Sequence, residues 1–360
     1  MTKLVFTAPI NSLSLGNVSV NLLREMYKRN IDLTFFPVGS NLEFKAYKLD
    51  RGFSEWFTKS VQGRLKTVRR DTPSLKLWHI NQSEQKVTDK QYLMTFYELN
   101  SPTQEEINLV RLQEHTFFSS TYSKTIFGNV AQNVSYVPMG FDEEFTVLPR
   151  KKIDSIHFGL MGKWEQRKNT EKIIKLWAKK YGDNMKYQLT CCVTNPFYKP
   201  EQMNQVIMQA LGGRRYFNIN FVPYLETNAQ VNDFMNGIDI DLTGLSGAEG
   251  WNLPSFNTTA LGKWSIVLNA TAHKDWATKD NSILVQPNGQ MPAYDGVFFH
   301  PGQPFNQGSI YTWDDEEVVS AMDTAAKKAK TPNLEGEKLR EQFTWSKTLD
   351  AILSKIYPQA

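Results

Sequence analysis

Short apolar runs typical of buried strands alternate with segments of helical periodicity along most of the chain. The first unit has a strand-like run from Leu4 to Phe6, a helical segment around Leu22 and a second strand-like run from Ile31 to Phe36. Such alternation predicts α/β domains with mainly parallel sheets, because a helix must carry the chain back between parallel strands. The pattern starts again at Ile156 to Met161, and 360 residues exceed one ordinary hydrophobic core, so we expect two domains.

The boundary between the domains is predicted near the middle of the chain. The stretch from Thr146 to Asp154 contains Pro149 and three basic residues, which is typical of a linker. We therefore assign residues 1–148 to the first domain and residues 149–344 to the second. A last helix is expected at about residues 345–360, with Leu349 and Ile352 on its apolar face.

The composition is that of a well-packed globular protein. A hydrophobic content of 41% and an aromatic content of 12% argue against disorder, and a net charge of +4 permits a nucleic-acid partner without requiring one. The two cysteines, Cys191 and Cys192, are adjacent in a strand-like run and would point to opposite faces, which favours a reducing compartment. The N-terminus has no charged-then-apolar leader and no apolar run is long enough to cross a bilayer, so we expect a soluble, cytoplasmic protein.

The segment from Ser246 to Pro254, SGAEGWNLP, has the composition of a ligand site. It follows the strand-like run from Ile238 to Leu242, and open α/β sheets bind ligands at the carboxyl ends of their strands. Pro254 suits the first turn of a helix, and the backbone N–H groups before it would attract anions or hydroxyl oxygens. Glu249 adds a carboxylate at the same place. A carboxylate at a helix start also compensates the helix dipole, so a structural role for Glu249 stays open.

A second candidate segment follows the first strand of the second domain. It runs from Gly162 to Asn169, GKWEQRKN, and leads into a helix that Asn169 or Thr170 could cap. Lys163, Arg167 and Lys168 would crowd the positive end of the helix dipole, which disfavours cations by roughly several tenths of a kcal/mol. A diphosphate would relieve this conflict, because it accepts charge-assisted hydrogen bonds from basic side chains and helix N–H groups together. A solvated basic loop is the alternative.

The remaining candidates carry weaker signals. Gly16 lies between the first strand and its helix, where a missing side chain permits close approach of a ligand; a simple turn is the alternative. Glu98 follows a strand and either faces a ligand or is a surface carboxylate. His79 either lines a cleft or is packed and hydrogen-bonded, and His273 either covers a ligand or is exposed. The three spaced glycines of a dinucleotide-binding fingerprint are missing, which disfavours a dinucleotide-dependent oxidoreductase.

These segments together resemble the retaining, group 1 glycosyltransferases of the GT-B fold, in the same order along nearly the whole chain. That family has a glutamate, seven residues, a second glutamate and then a small-residue helix; Glu249 and Asn257 occupy the two acidic positions here. Its diphosphate pattern is Gly-Arg, four residues, Lys-Gly, and here Lys163 stands in the arginine position and Asn169 in that of the last glycine. Further matches are Gly16, Thr95 to Glu98, Phe118 to Lys124, Val137 to Asp142, and Phe343 to Thr348.

The resemblance implies a fold and an activity. The fold would consist of two Rossmann-like domains facing across a cleft, with the last helix returning to the first domain. The activity would be transfer of a sugar from a nucleoside diphosphate sugar, a UDP or GDP form, to an acceptor hydroxyl with retention of the anomeric configuration. It would need neither a cofactor nor a metal ion.

The resemblance also implies roles for individual residues. Lys163, Lys168 and Arg167 would stabilise the leaving diphosphate. Glu249 would accept hydrogen bonds from the donor sugar, and Glu98 would contact that sugar or orient the acceptor. The other donor-binding positions are Gly16, the backbone N–H groups of Gly250, Trp251, Asn252 and Leu253, and the side chain of Asn257. Asn257 replaces a glutamate that grips the ribose, and neutral hydrogen bonds contribute about 1 kcal/mol against roughly 1.5–3 for charged ones, so donor affinity should be modest.

Several acceptors and one rival function stay open. The basic stretch from Arg64 to Arg70 could meet phosphates, which keeps glycans, lipid-linked glycans and hydroxymethylated DNA bases as candidates; some bacteriophage enzymes of the same architecture glycosylate such bases. The alternative function is a noncatalytic nucleotide-sugar binding or regulatory protein, suggested by Asn257. Turnover of the donor would separate an enzyme from such a binding protein.

Overall fold

The computed structural model describes residues 3–66, 68–149, 154–195 and 197–358. The chain separates into two compact units. The first contains residues 1–144, 302–307 and 341–360, and the second contains residues 145–301 and 308–340. Part of the linker that the sequence predicts, residues 150–153, lies outside the described residues.

The first unit is built on a parallel sheet. Its strands are β1 Lys3–Ile10, β2 Asp32–Leu42, β3 Ser74–Leu77, β4 Gln91–Thr95, β5 His115–Phe118 and β6 Val134–Tyr136. Its first helices are α1 Ser14–Lys28, α2 Arg51–Gln62, α3 Gln104–Arg111 and α4 Thr121–Gly128. The six strands lie in the order β2-β1-β3-β4-β5-β6, and every neighbouring pair is parallel.

The second unit repeats this plan. Its strands are β7 Ile156–Lys163, β8 Tyr187–Thr194, β9 Ile219–Phe221, β10 Ile240–Asp241, β11 Trp264–Leu268 and β12 Ser282–Val285. A further pair, β13 Gly289–Pro292 and β14 Ser309–Thr312, forms an antiparallel ribbon. Its helices are α5 Thr170–Tyr181, α6 Pro200–Ala210, α7 Asn228–Gly237, α8 Leu253–Ala260, α9 Asp315–Lys328 and α10 Leu334–Glu337. The main sheet has the order β12-β11-β10-β7-β8-β9, again with parallel neighbours.

The last two helices are α11 Leu339–Gln342 and α12 Trp345–Ile356. Helix α12 belongs to the first unit, where it packs against α1 and buries Leu349 and Ile352 completely. The Thr348 hydroxyl donates to the Pro138 carbonyl at 2.8 Å. The return of the last helix to the first domain, which the sequence predicts, is therefore confirmed.

The spacing of apolar residues explains how these helices attach. In α5, Ile173, Ile174 and Trp177 are fully buried, and they lie on one helix face because they recur at helical spacing. Together with Phe158 of β7 and Ile240 of β10 they form part of the core of the second unit. The central strands of both sheets are buried on both faces, as parallel sheets covered by helices require. The prediction of two α/β domains with parallel sheets is confirmed.

Several element predictions need correction. The sequence around Ser101 and Pro102 predicts the start of a helix that carries Leu112. The helix, α3, begins instead at Gln104, after a capping box of Thr103 and Glu106, and Leu112 lies beyond its end with 51% of its surface exposed. The predicted strand from Ile238 to Leu242 is reduced to the two residues of β10. Helix α2 and the ribbon of β13 and β14 have no counterpart in the sequence predictions.

In each sheet there is one point at which the order of strand addition reverses, although the strands stay parallel. In the first sheet the reversal lies between β1 and β3, and in the second it lies between β7 and β10. Crossover connections leave such a pair toward opposite sides, so a crevice opens at the carboxyl ends of the two strands. The segments after β7 and β10 are therefore the first place to look for a ligand site in the second unit.

Candidate functional site

The two segments that the sequence singles out in the second unit meet at this reversal. Strands β7 and β10 are parallel neighbours, with Ile240 paired to Phe158 and Asp241 paired to Gly159. The chain leaves β7 at Lys163 and leaves β10 toward Glu249, so both loops stand at the same sheet edge. They are joined directly, since the Gly247 N–H donates to the Arg167 carbonyl at 2.8 Å.

Glu249 is a buried carboxylate held between two cations. Its side chain is 5% exposed; one oxygen lies 3.3 Å from Arg167 Nη1, and the other accepts from Lys168 Nζ. Burial alone would raise the pKa of Glu249, but Lys168 and Arg167 outweigh it and lower the pKa to about 2. The carboxylate therefore stays ionised and can act only as a hydrogen-bond acceptor at neutral pH.

The three basic residues of the β7–α5 loop occupy different environments. The Arg167 side chain is 9% exposed and donates to Glu165 at 3.1 Å and to the Ala248 carbonyl as well as to Glu249. The Lys168 side chain is 18% exposed, and that of Lys163 is 43% exposed, with its ammonium 5.3 Å from the Phe298 ring centroid. Lys163 and Lys168 are thus more accessible to a ligand, whereas Arg167 supports Glu249 from within the protein.

The Glu249 loop is fixed by backbone contacts on both sides. The Glu249 N–H donates to the Thr271 hydroxyl at 3.1 Å, and its carbonyl accepts from the Ala272 N–H at 3.4 Å. The Gly247 carbonyl accepts a hydrogen bond from the N–H of Tyr311 in β14 at 2.8 Å. A Cβ at Gly247 would lie 2.5 Å from the Tyr311 carbonyl oxygen, so this close approach requires glycine.

Helix α8 begins directly after this loop. Asn252 adopts the left-handed conformation, with φ of 68°, and its side chain accepts from the Ser255 N–H. Leu253 is the first helical residue and Pro254 the second, so the proline lies in the first turn, where its missing N–H costs no helical hydrogen bond. Gly250 and Trp251 lie in the turn between Glu249 and Asn252, and the Trp251 ring packs at 5.3 Å on Phe256. Asn257 is buried within α8.

His273 lies behind the loop and is completely buried. Its Nδ1 lies 2.9 Å from the Leu268 carbonyl oxygen, and its Nε2 lies 2.9 Å from Asn252 Nδ2. Burial lowers the pKa of His273 to about 4, although the charge of Glu249 acts in the opposite direction. The prediction of an exposed His273 is therefore wrong, and the ring packs into the protein beneath the turn.

Asn169 precedes α5 in the left-handed conformation, with φ of 55°. Its side chain does not cap the helix but donates to the Leu245 carbonyl at 2.8 Å, and the Thr170 hydroxyl donates to the Lys163 carbonyl at 3.1 Å. The predicted side-chain cap is therefore wrong. The backbone conformation explains why asparagine can stand where the family pattern has glycine, since both residues tolerate this region.

Gly16, Glu98 and His79 are the candidates that lie in the first unit. Gly16 is the third residue of α1 and not part of a loop; a Cβ there would lie 2.1 Å from the Asn11 carbonyl oxygen, so the close approach is to the protein itself. Glu98 is half-buried in the segment after β4. His79 is exposed after β3, with its ring centroid 5.2 Å from that of Trp78, so the alternative of a histidine packed in the interior is wrong.

Two contributors were not predicted. Glu165 is buried between Lys163, at 3.8 Å, and Arg167, and Thr271 holds the Glu249 backbone. The alternation Lys163, Glu165, Arg167 was a readable signal for an ion-pair cluster, whereas no local pattern marks Thr271. Among the five charged residues of the cluster three are cations and two are carboxylates, so the cluster carries a net charge of +1.

A cavity of about 560 Å³ opens beside this cluster. Its walls include Trp164, Glu165, Asn195, Tyr198 and Phe298. Within the described part of the chain, no group of three or more His, Cys, Asp or Glu side chains could hold a metal ion. A search of the described helices for one that is long and apolar enough to cross a membrane also finds none.

Comparison with solved structures identifies the fold. HepE of Anabaena, in complex with UDP and glucose, matches over 100% of both chains with 12% identity and a TM-score of 0.68. The sucrose-phosphate synthase of Thermosynechococcus elongatus matches over 99% of both chains with 10% identity and a TM-score of 0.68. The catalytic domain of starch synthase IV from Arabidopsis thaliana, bound to ADP and acarbose, matches over 99% of both chains with 9% identity and a TM-score of 0.66. The sequence matches no family model and no curated protein.

These structures are glycosyltransferases of the GT-B fold. The chain has this two-domain, Rossmann-like fold, as its sequence predicts. At such low sequence identity the likeness concerns the fold, and the chemistry must be argued from the site.

Proposed function

We propose that this protein is a retaining glycosyltransferase that moves a sugar from a UDP- or GDP-sugar to an acceptor hydroxyl. The observation that carries the proposal is the ionised, buried Glu249 beside the accessible Lys168. Both lie at the carboxyl ends of β7 and β10, where the strand order of the sheet reverses. The UDP-glucose in the solved HepE complex and the ADP in the solved starch synthase IV complex agree with a nucleotide donor. Glu249 and Lys168 offer an acceptor for sugar hydroxyls and a donor for phosphate oxygens side by side.

The proposed donor lies with its diphosphate against Lys168 and Lys163 and its sugar against Glu249. The N–H groups from Gly250 to Leu253, at the start of α8, supply further donors to sugar or phosphate. Lys168 is paired with Glu249 in this structure, so it would share its ammonium between the carboxylate and an arriving phosphate. Arg167 stays on Glu249 during this exchange, which keeps the carboxylate charged and in place.

The proposed reaction breaks the bond between the anomeric carbon and the phosphate oxygen. The acceptor oxygen forms the new bond on the same face of the sugar, and its proton passes to the departing phosphate oxygen. Negative charge grows on the phosphate as the bond breaks, so the attraction of Lys168 and Lys163 increases toward the transition state. The proposal includes no cofactor, no metal ion and no covalent enzyme intermediate. Glu98 of the first unit is proposed to orient the acceptor or contact the donor sugar.

The proposed acceptor is a glycan or a hydroxymethylated DNA base. In the basic stretch of the first unit, Arg69 forms an ion pair with Asp71 and Arg70 with Asp89. Those pairs reduce the charge available to phosphates, so the argument for DNA rests on the exposed Arg64 and Lys66; Thr67 lies outside the described residues. Incubation of labelled donor with each acceptor would decide between them, and a DNA acceptor would also bind less tightly as salt rises.

We also propose a cytoplasmic location. Cys191 and Cys192 are both buried as free thiols in β8, and adjacent buried thiols suit a reducing compartment. Fractionation of cells that produce the protein would test this.

The first test is titration calorimetry of the protein with a panel of UDP- and GDP-sugars, followed by an assay of donor hydrolysis without acceptor. We expect micromolar-scale binding of one donor and slow hydrolysis of it, and Glu249→Gln, which keeps the shape but removes the charge, should abolish hydrolysis. Binding without hydrolysis or transfer would favour the noncatalytic nucleotide-sugar binding protein, which the amide at Asn257 also suits. No binding to a folded protein would refute both.

A further inference from the structure

His273 occupies a position that the proposed chemistry does not use. It lies in the turn from Thr271 to Asp275 after β11, is fully buried, and connects β11 to the start of α8 through its two ring nitrogens. The same turn holds the backbone of Glu249 through Thr271 and Ala272. The imidazole therefore stands directly behind the loop that carries the proposed donor contacts.

The hydrogen bonds around His273 allow only one assignment of protons. The Thr243 carbonyl lies 3.0 Å from Asn252 Nδ2, and a carbonyl can only accept, so the amide NH₂ of Asn252 points to both Thr243 and His273. His273 Nε2 must accept from this NH₂ at 2.9 Å. The Leu268 carbonyl also only accepts, so His273 Nδ1 carries the hydrogen. The ring is thus the neutral Nδ1–H tautomer.

The residue that receives this support has a left-handed backbone. Asn252 has φ of 68° and ψ of 64°, a region that asparagine tolerates better than most residues with a side chain, and its side-chain contacts select this conformation. Its side chain is held at three points, by Thr243, His273 and the Ser255 N–H. The turn from Glu249 to Asn252 takes its shape from this residue.

We propose that His273 is a positioning residue of the donor site: as the neutral Nδ1–H tautomer it holds Asn252 left-handed and thereby fixes the turn from Glu249 to Asn252. The effect of His273 on donor affinity rests on the proposed function, whereas its effect on the conformation of the turn does not. The charged groups that interact with the ring are Glu249, which favours protonation, and Lys168, which opposes it. Burial outweighs Glu249, and a proton on Nε2 would face the Asn252 NH₂.

Two substitutions of similar size separate this role from simple packing. In His273→Gln the side-chain oxygen can reach the Nε2 position and accept from Asn252, while the donor to Leu268 is lost. In His273→Asn the amide can keep the donor to Leu268, while the acceptor for Asn252 is lost. A packing role would make the two variants equally harmful, whereas our proposal makes only the asparagine variant harmful to the turn.

The primary readout is amide hydrogen exchange of residues 250–253 in the full chain without ligand. We expect rates near those of the wild type in His273→Gln and about tenfold faster rates in His273→Asn, since an unsatisfied buried group frees the turn to open. In the same pair, affinity for the bound nucleotide sugar should fall about tenfold only in the asparagine variant. Equal exchange in both variants would overturn the proposal.

Nitrogen-15 NMR of the wild-type protein gives an independent test that needs no variant. We expect a protonated Nδ1 and an unprotonated Nε2 at pH 7, and an Nε2–H tautomer or a charged ring would overturn the proposal. If the wild type binds no nucleotide sugar, the proposed function fails, but the exchange rates and the tautomer still decide the role of His273.

Discussion

At the scale of single residues, the ion-pair cluster separates a ligand-facing cation from a supporting one. Lys168 and Arg167 both contact Glu249, yet only Lys168 has an appreciable exposed fraction. We expect Lys168→Ala to lower donor affinity and turnover by about tenfold or more, because a charge-assisted hydrogen bond to phosphate is lost. Calorimetry and a hydrolysis assay would measure both quantities. Lys279→Ala, which changes an exposed lysine of the same unit, is the matched control, and unchanged values in Lys168→Ala would refute the role of Lys168.

A second prediction at this scale concerns acid stability. His273 has a pKa of about 4 in the folded protein against an ordinary value of 6.5, so the unfolded chain binds more protons between these values. Its contribution to the free energy of unfolding is therefore complete above pH 6.5 and is lost as the pH falls toward 4, by about 2 kcal/mol at pH 5. Glu249, with a pKa of about 2, loses its contribution only below pH 4.5.

Denaturant unfolding at pH 7.5 and pH 5 would measure this effect. Burial also lowers the pKa of His115 and His157, so the wild type should lose more than the His273 contribution alone. His273→Gln should reduce the difference between the two pH values by about 2 kcal/mol. A difference as large as that of the wild type would show that His273 titrates normally.

At the scale of single elements, the start of α5 combines a backbone constraint with a tertiary bond. Asn169 is left-handed, and its side chain donates to the carbonyl of Leu245, which directly precedes the segment from Ser246 to Pro254. Asn169→Gly and Asn169→Ala both remove this bond, but only alanine must bear the left-handed backbone. We therefore expect the alanine variant to be less stable than the glycine variant by about 1 kcal/mol in denaturant unfolding. Equal stabilities would mean that the loop changes conformation when the side chain is removed.

Sequence patterns identify the elements that carry strong periodicity and miss those that depend on their surroundings. The apolar face of α5 and the parallel strands were predictable because each buries a repeating set of residues. The ribbon strand β13 is exposed along its whole length, so it shows no alternation and is defined by its pairing with β14. Helix α2, in contrast, has a readable signal that the sequence predictions missed: Asp50 caps it, and the buried Phe53 and Phe57 recur at helical spacing.

The same distinction applies to the site. Glu249, Lys163 and Lys168 were found because a carboxylate or cations at a helix start have a local signature. The burial of Arg167 and His273 was not predictable, because each contacts residues distant in sequence, Ala248 for Arg167 and Asn252 for His273. Local patterns indicate which groups carry charge, but only the fold determines which of them face solvent.

At the scale of the whole molecule, the chain builds two similar sheets and then returns to the first unit with α12. This helix buries Ile352 completely against the first unit, although its sequence follows the second. We expect Ile352→Ala to destabilise by about 2–4 kcal/mol, because a large side chain is removed from a packed interior. Ser354→Ala, at an exposed position of the same helix, should have an effect below about 0.5 kcal/mol.

Hydrogen exchange resolved by segment would show where the stability is lost. Because α12 packs on α1, exchange in Ile352→Ala should rise in β1 to β6 and stay close to the wild-type rate in β7 to β12. Equal acceleration in both sheets would mean that the two units unfold as a single cooperative body. Selective acceleration would show that the returning helix is an integral part of the first unit and that each sheet has a core of its own.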